Sequence, residues 1–134
     1  KELGMINDIK FVHPKDMQDG KIEISSSDIT TNLPYVNGAH LVFDHHLSET
    51  LRNSSLQPNH IIDPDAMSAA RVVYNYYGGK NRFPSISDEM MTAVDKADAA
   101  RFSVDEILHP TDWVLLNYLM DPRTGLGRFR SFRI

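Results

Sequence analysis

The chain contains no cysteine. That absence excludes disulfide cross-links, thiolate metal sites and thiol nucleophiles together. Any metal held by this chain is therefore held by oxygen and imidazole. No apolar run approaches the roughly 20 residues that a membrane-spanning helix needs, and no secretory signal opens the sequence. A cytoplasmic setting without a membrane partner is expected. Positive charge is not in excess either. Fourteen Lys and Arg against eighteen Asp and Glu leave a net charge of −4, which argues against a general nucleic-acid coat. Internal repeats and low-complexity tracts are absent, and with 41% hydrophobic and 24% charged residues wholesale disorder is excluded. The 134 residues suffice for one domain with a sizeable core. A starting methionine is also missing: the chain opens at Lys1, in what reads as the last turns of a helix ending near Gly4 or Asn7.

Along the chain, Ile9, Phe11 and His13 alternate with Lys10 and Val12, a short strand signal stopped by Pro14. Ile22 and Ile24 alternate weakly, and Val36-Asn37-Gly38 is a turn signal. Leu41-Val42-Phe43 is a continuous apolar run of the kind buried on both faces of a sheet. A short helix from Ser48 and an extended piece at His60-Ile61-Ile62 follow. Ala66, Ala69, Ala70, Val73 and Tyr77 recur at helical spacing, with Asp63 or Asp65 able to cap the start and Gly78-Gly79 the end. Further helices are expected from Ser87 to about Arg101 and from Pro110 to Asp121, the latter with Trp113 in the core. Strands in the first half and helices gathering in the second predict an α/β fold, a mainly parallel sheet flanked by helices.

Asp44-His45-His46 is the sharpest chemical feature. These residues stand where the buried strand ends, and α/β sheets bind ligands outside the carboxyl ends of their strands. An imidazole oriented by a carboxylate is a common way to hold a divalent metal. Ordinary hydrogen bonds at a surface turn are the alternative. Asp98 is the second candidate, on a helical stripe with Met91 and Val94 and with Asp95 and Phe102 close beside it. A carboxylate on an apolar stripe is paired, capped or metal-bound, because an unpaired buried charge is very costly. Asp63-Pro64-Asp65 reads as a helix start, and His13, His40, His60 and His109 as isolated histidines. Ser48 lacks a nucleophile elbow, and Gly125-Leu126-Gly127 lacks the context of a phosphate loop. Arg123, Arg128, Arg130 and Arg133 make the tail basic, whereas residues 84–121 are acidic.

Val42-Phe43-Asp44-His45-His46 resembles the signature of the DHH phosphoesterase superfamily. Asp65-Ala66-Met67-Ser68-Ala69-Ala70 looks like the helix start that follows it. Val94-Asp95-Lys96-Ala97-Asp98-Ala99-Ala100-Arg101-Phe102 resembles the later aspartate motif. Thr31-Asn32-Leu33-Pro34-Tyr35 and the segment from Asp121 to Gly127 are most similar to the exopolyphosphatase-like branch. The resemblance implies hydrolysis of phosphodiester or polyphosphate bonds by a water activated at a two-metal centre of Mn²⁺ or Mg²⁺. It implies His45 and Asp98 as metal ligands, Asp44 as the carboxylate supporting them, and His46 facing the substrate phosphate. The expected partner is a phosphate ester: a short oligonucleotide, a nucleotide or polyphosphate.

The sequence departs from that pattern in three places. The first motif-bearing strand, with its Asp-x-Asp ligands, is not found. Thr30-Thr31-Asn32 stands where an aspartate ends the preceding strand, with Asp28 too early. The C-terminal substrate-binding domain is also not found. Residues 1–134 are therefore expected to be a partial DHH catalytic domain, weak or inactive alone, and able to pair as a homodimer through an uncovered sheet edge. The alternative is a degenerate domain that binds nucleotide, phosphate or a partner without catalysis.

Overall fold

The protein is described by a computed structural model over residues 2–52 and 57–121. The arginines of the tail and the Gly125-Leu126-Gly127 turn lie outside the described residues. The chain divides into two compact units, residues 1–86 and 87–134.

The first unit is built on a parallel three-stranded sheet of order β1-β2-β3, with β1 at Ile29–Thr31, β2 at Leu41–Asp44 and β3 at His60–Ile62. This is the expected fold class. The central strand is the apolar run, and Val42 and Phe43 are completely enclosed. Being covered on both faces is what permits a strand with no polar alternation. β1 reaches β2 through residues 32–40, which contain no helix. The connection from β2 to β3 carries α2, Leu47–Arg52. The weak alternation of Ile22 and Ile24 does not form a strand.

Helix α3 spans Ala69–Tyr76 and covers the sheet. The Phe43 ring meets Tyr76 edge-on at 5.1 Å, and Ala69, Val72 and Tyr74 are buried. Its cap is Ser68, whose hydroxyl accepts from the Arg71 amide at 3.0 Å, in place of the expected Asp63 or Asp65. Asp63 instead accepts from the Asp65 amide and closes a turn. Gly78 ends the helix as expected. Its φ of +101° strains any residue with a side chain, and a Cβ there would lie 2.9 Å from Arg82 Cγ, which would have to shift.

The amino-terminal segment departs from expectation. Residues 2–13 form neither the helix nor the strand. Phe11 is 88% exposed, so the alternating pattern there finds no layer to bury against. Pro14 begins a helix, α1 at Pro14–Gln18. Its fixed φ suits the first helical position, and His13 Nδ1 accepts from the Lys15 amide.

The second unit is helical. Helix α4, Asp88–Asp98, is capped by Ser87 and stops short of Arg101, with Ala99 at its end and Ala100 at φ +51°. Helix α5, Val104–Leu108, was not expected, although Ser103 and Glu106 form a reciprocal capping box legible as Ser-x-x-Glu. Helix α6, Asp112–Met120, packs on α4, and Phe102 meets Tyr118 at 5.5 Å. Trp113 is not core. It is 37% exposed, and Leu115, Leu116, Leu119 and Met120 are exposed with it, because α6 is apolar on all sides and no single face can bury them all.

Candidate active site

β2 carries Asp44 out of the sheet with its carboxylate 1% exposed. A buried carboxylate must have donors, and Asp44 Oδ1 has three. The amides of His45 and His46 donate to it at 2.8 and 3.3 Å, and His46 Nδ1 lies 2.7 Å away. The strand end thus folds around its own acid. His46 is held by Asp44 while its side chain stays 53% exposed. Its other ring nitrogen is the one available to a ligand in solvent.

His45 lies just past the end of β2, with its ring beside that of His46. Its Nδ1 lies 3.1 Å from the carbonyl oxygen of Ala66. A carbonyl only accepts, so Nδ1 carries a proton, and in the neutral ring the lone pair is on Nε2. That tautomer is the one a metal ligand needs. The two rings lie 4.6 Å apart between centroids. One tripeptide therefore presents two imidazoles oriented by different partners, a carboxylate and a carbonyl.

Asn32 follows β1 directly, and its amide donates to the Phe43 carbonyl at 2.9 Å. It lies at the carboxyl end of the sheet, at φ +57°. Asp28 lies at the opposite end of β1 and is bound to Ser25, whose amide and hydroxyl donate to it at 2.7 and 2.8 Å. The Ser25 amide, and then its hydroxyl, hold the Asp28 carboxyl below its ordinary value. Asp28 therefore does not reach the carboxyl end of the sheet, where the resemblance leads one to expect an aspartate.

Asp98 belongs to the second unit, as the last residue of α4, and it is exposed. The buried carboxylate of that helix is Asp95, one turn after the buried Met91. Reading Asp98 as part of an apolar stripe is corrected accordingly. The imidazole of His45 suits a first-row transition ion better than Mg²⁺, which takes oxygen ligands. Among the described residues no three His, Asp or Glu side chains converge to hold a metal.

Three residues near the sheet were not singled out as functional from sequence. Glu49, in α2, is buried and its Oε2 accepts from the Tyr35 amide at 3.3 Å. Tyr35 packs at 5.1 Å on His60, and its hydroxyl donates to Asn59 Oδ1. His60 is 6% exposed, with neither ring nitrogen hydrogen-bonded. No local pattern could have revealed these, since the partners are 14 to 25 residues apart. No helix among the described residues is long and apolar enough to cross a membrane.

No family model and no curated protein matches the chain. Among solved structures, it is similar to the pGpG-specific phosphodiesterase PggH from Vibrio cholerae. Identity is 60% over 96% of this chain, with a TM-score of 0.82. This chain spans 41% of the length of that one.

Proposed function

We propose that this chain is part of a metal-dependent phosphodiesterase of the DHH type, cleaving a short phosphodiester-linked nucleotide such as a guanosine dinucleotide. The observation that carries the reading is the pair of fixed imidazoles at the carboxyl end of β2, one set by Asp44 and the other by the Ala66 carbonyl. The likeness to a pGpG-specific phosphodiesterase supports the same chemistry and suggests the substrate class.

In this reading His45 presents Nε2 as a ligand, and Asp98 is a second ligand carried over by motif. A bound Mn²⁺ or Mg²⁺ supplies charge neutralisation and an activated water. The described residues do not complete its coordination, so further ligands come from elsewhere in the protein. His46, held by Asp44, directs its outer nitrogen at a phosphate oxygen. When protonated it offers that oxygen a charge-assisted hydrogen bond. Asp44 is a positioning residue: it keeps the His46 ring in one orientation.

A second reading, a domain that binds phosphate without catalysis, is favoured by Asn32, which offers one neutral oxygen in place of a bridging carboxylate. Calorimetry with Mn²⁺, together with assays of the full-length protein on pGpG and polyphosphate, separates the two. Turnover on pGpG that falls by about 10²-fold or more in His45→Ala, with loss of Mn²⁺ heat, is the expected result. Identical heats for the wild type and His45→Ala would remove His45 as a ligand. Nucleotide binding without turnover would favour the second reading.

A further inference from the structure

An acid in the first turn of a helix is favoured by the helix dipole even when it stays in water. Glu49, in the first turn of α2, is instead only 5% exposed. Burying a carboxylate carries a desolvation cost that an apolar residue at the same place would not incur. Stability alone does not account for it, and its bonds point to another role.

Those bonds close a ring around the carboxyl ends of β1 and β2. The Asn32 amide donates to the Phe43 carbonyl at 2.9 Å. Three residues on from Phe43, the His46 carbonyl accepts from the Glu49 amide at 3.0 Å. The Glu49 carboxylate accepts from the Tyr35 amide at 3.3 Å. Tyr35 stands three residues beyond Asn32, with Pro34 restricting the backbone just before it. Every hydrogen bond of the ring runs from backbone to backbone except the one that Glu49 makes through its side chain. The Tyr35 corner is also held from outside. Its hydroxyl donates to Asn59 Oδ1 at 3.2 Å, and Asn59 Nδ2 donates to the Ala39 carbonyl at 2.8 Å. Without the Glu49 carboxylate Tyr35 keeps this anchor, and the slack falls on the first turn of α2. That helix has six residues, and helices shorter than about 12 residues are marginal by themselves. His46 is attached to that turn.

We infer that Glu49 is a positioning residue: by holding the first turn of α2 to Tyr35 it fixes His46 relative to the end of β1, where Asn32 stands. This role rests on the proposed function in taking the tip of β2 as the place where a phosphate ester reacts. It extends the working unit beyond the Asp-His-His tripeptide to a buried acid three residues later that need not touch the substrate. A misplacement of about 1 Å can cost about 10²-fold in rate, so opening the ring is expected to act on turnover more than on folding.

The test compares three variants of the full-length protein. Glu49→Met keeps the length of the side chain and removes the acceptor. Glu49→Gln keeps a carbonyl oxygen for the Tyr35 amide. Val72→Ala, in the buried face of α3, reports what a loss of stability alone does. On pGpG, kcat/KM is expected to fall about 10²-fold in Glu49→Met and to stay near the wild-type value in the other two. Hydrogen exchange at the amides of residues 35 and 49 should quicken about tenfold or more in Glu49→Met, while Val42 keeps its wild-type rate. An undiminished kcat/KM in Glu49→Met would overturn the inference. So would a loss of the same size in Glu49→Gln or in Val72→Ala. A wild type that hydrolyses nothing would remove the phosphodiesterase reading, and exchange alone then judges the ring. Quickened exchange at residues 35 and 49 would sustain it, and unchanged rates would overturn it.

Discussion

At the scale of single residues, a neighbour decides what a side chain can do. His45 and His46 are identical in chemistry and adjacent in sequence, yet one faces a carbonyl and the other a carboxylate. The tripeptide and its place at a strand end were legible from sequence. The carbonyl partner, 21 residues away, was not. Asp95 and Asp98 make the same point on α4. Both lie near the stripe begun by Met91, and periodicity could not choose between them. The side of the helix that α6 covers is a tertiary fact. Glu106 gives a prediction at this scale. The Lys96 ammonium, and then the Ser103 amide, hold its carboxyl at about 2. A depressed carboxyl contributes stability that is complete above the ordinary carboxylate range and is lost as pH falls from about 4.5 to about 2. Titration by NMR should place the Glu106 midpoint near 2, and Lys96→Met should move it up toward the ordinary value. An unchanged midpoint in that variant would show that the Lys96 contact does not set it.

At the scale of elements, long-range burial separated the segments that formed as expected from those that did not. β2 was the clearest reading because a run of three apolar residues between turn signals has few other uses in a chain with parallel strands. Helix α3 was legible in its body and its glycine stop, but its start moved to Ser68, which is itself buried. The segment at residues 9–13 had the strand alternation without a surface to receive it. Short helices α1 and α5 escaped notice because so few turns carry no periodicity, and only their caps announce them. Phe43 is where the sheet and α3 depend on each other. Phe43→Ala should cost about 3–5 kcal/mol in urea unfolding. A loss below about 1 kcal/mol would mean that the site collapses around the smaller residue.

At the scale of the whole molecule, the two units divide the expected functions. The imidazole pair and the ring of bonds behind it belong to the first, while the acidic helices and Asp98 belong to the second. Burial in the first unit concentrates on the central strand and the helix above it. Native-state hydrogen exchange should therefore be slowest at the amides of Val42, Phe43 and Val72 and fastest across residues 2–13. Protection of residues 2–13 equal to that of β2 would contradict this distribution of stability.

What the sequence determined by itself was local and compositional. Without cysteine, any metal ligand must be nitrogen or oxygen. An apolar run ending in Asp-His-His defined the central strand and the chemistry at its tip, and glycine and serine punctuated the helices. These follow from covalent structure, side-chain chemistry and the period of each element. Only the tertiary structure decided which ring nitrogen of His45 holds the proton and which carboxylate of α4 is buried. It alone brought Tyr35, Glu49 and His60 together. Those outcomes depend on groups distant in the chain, placed by burial of the core, and no local pattern records them.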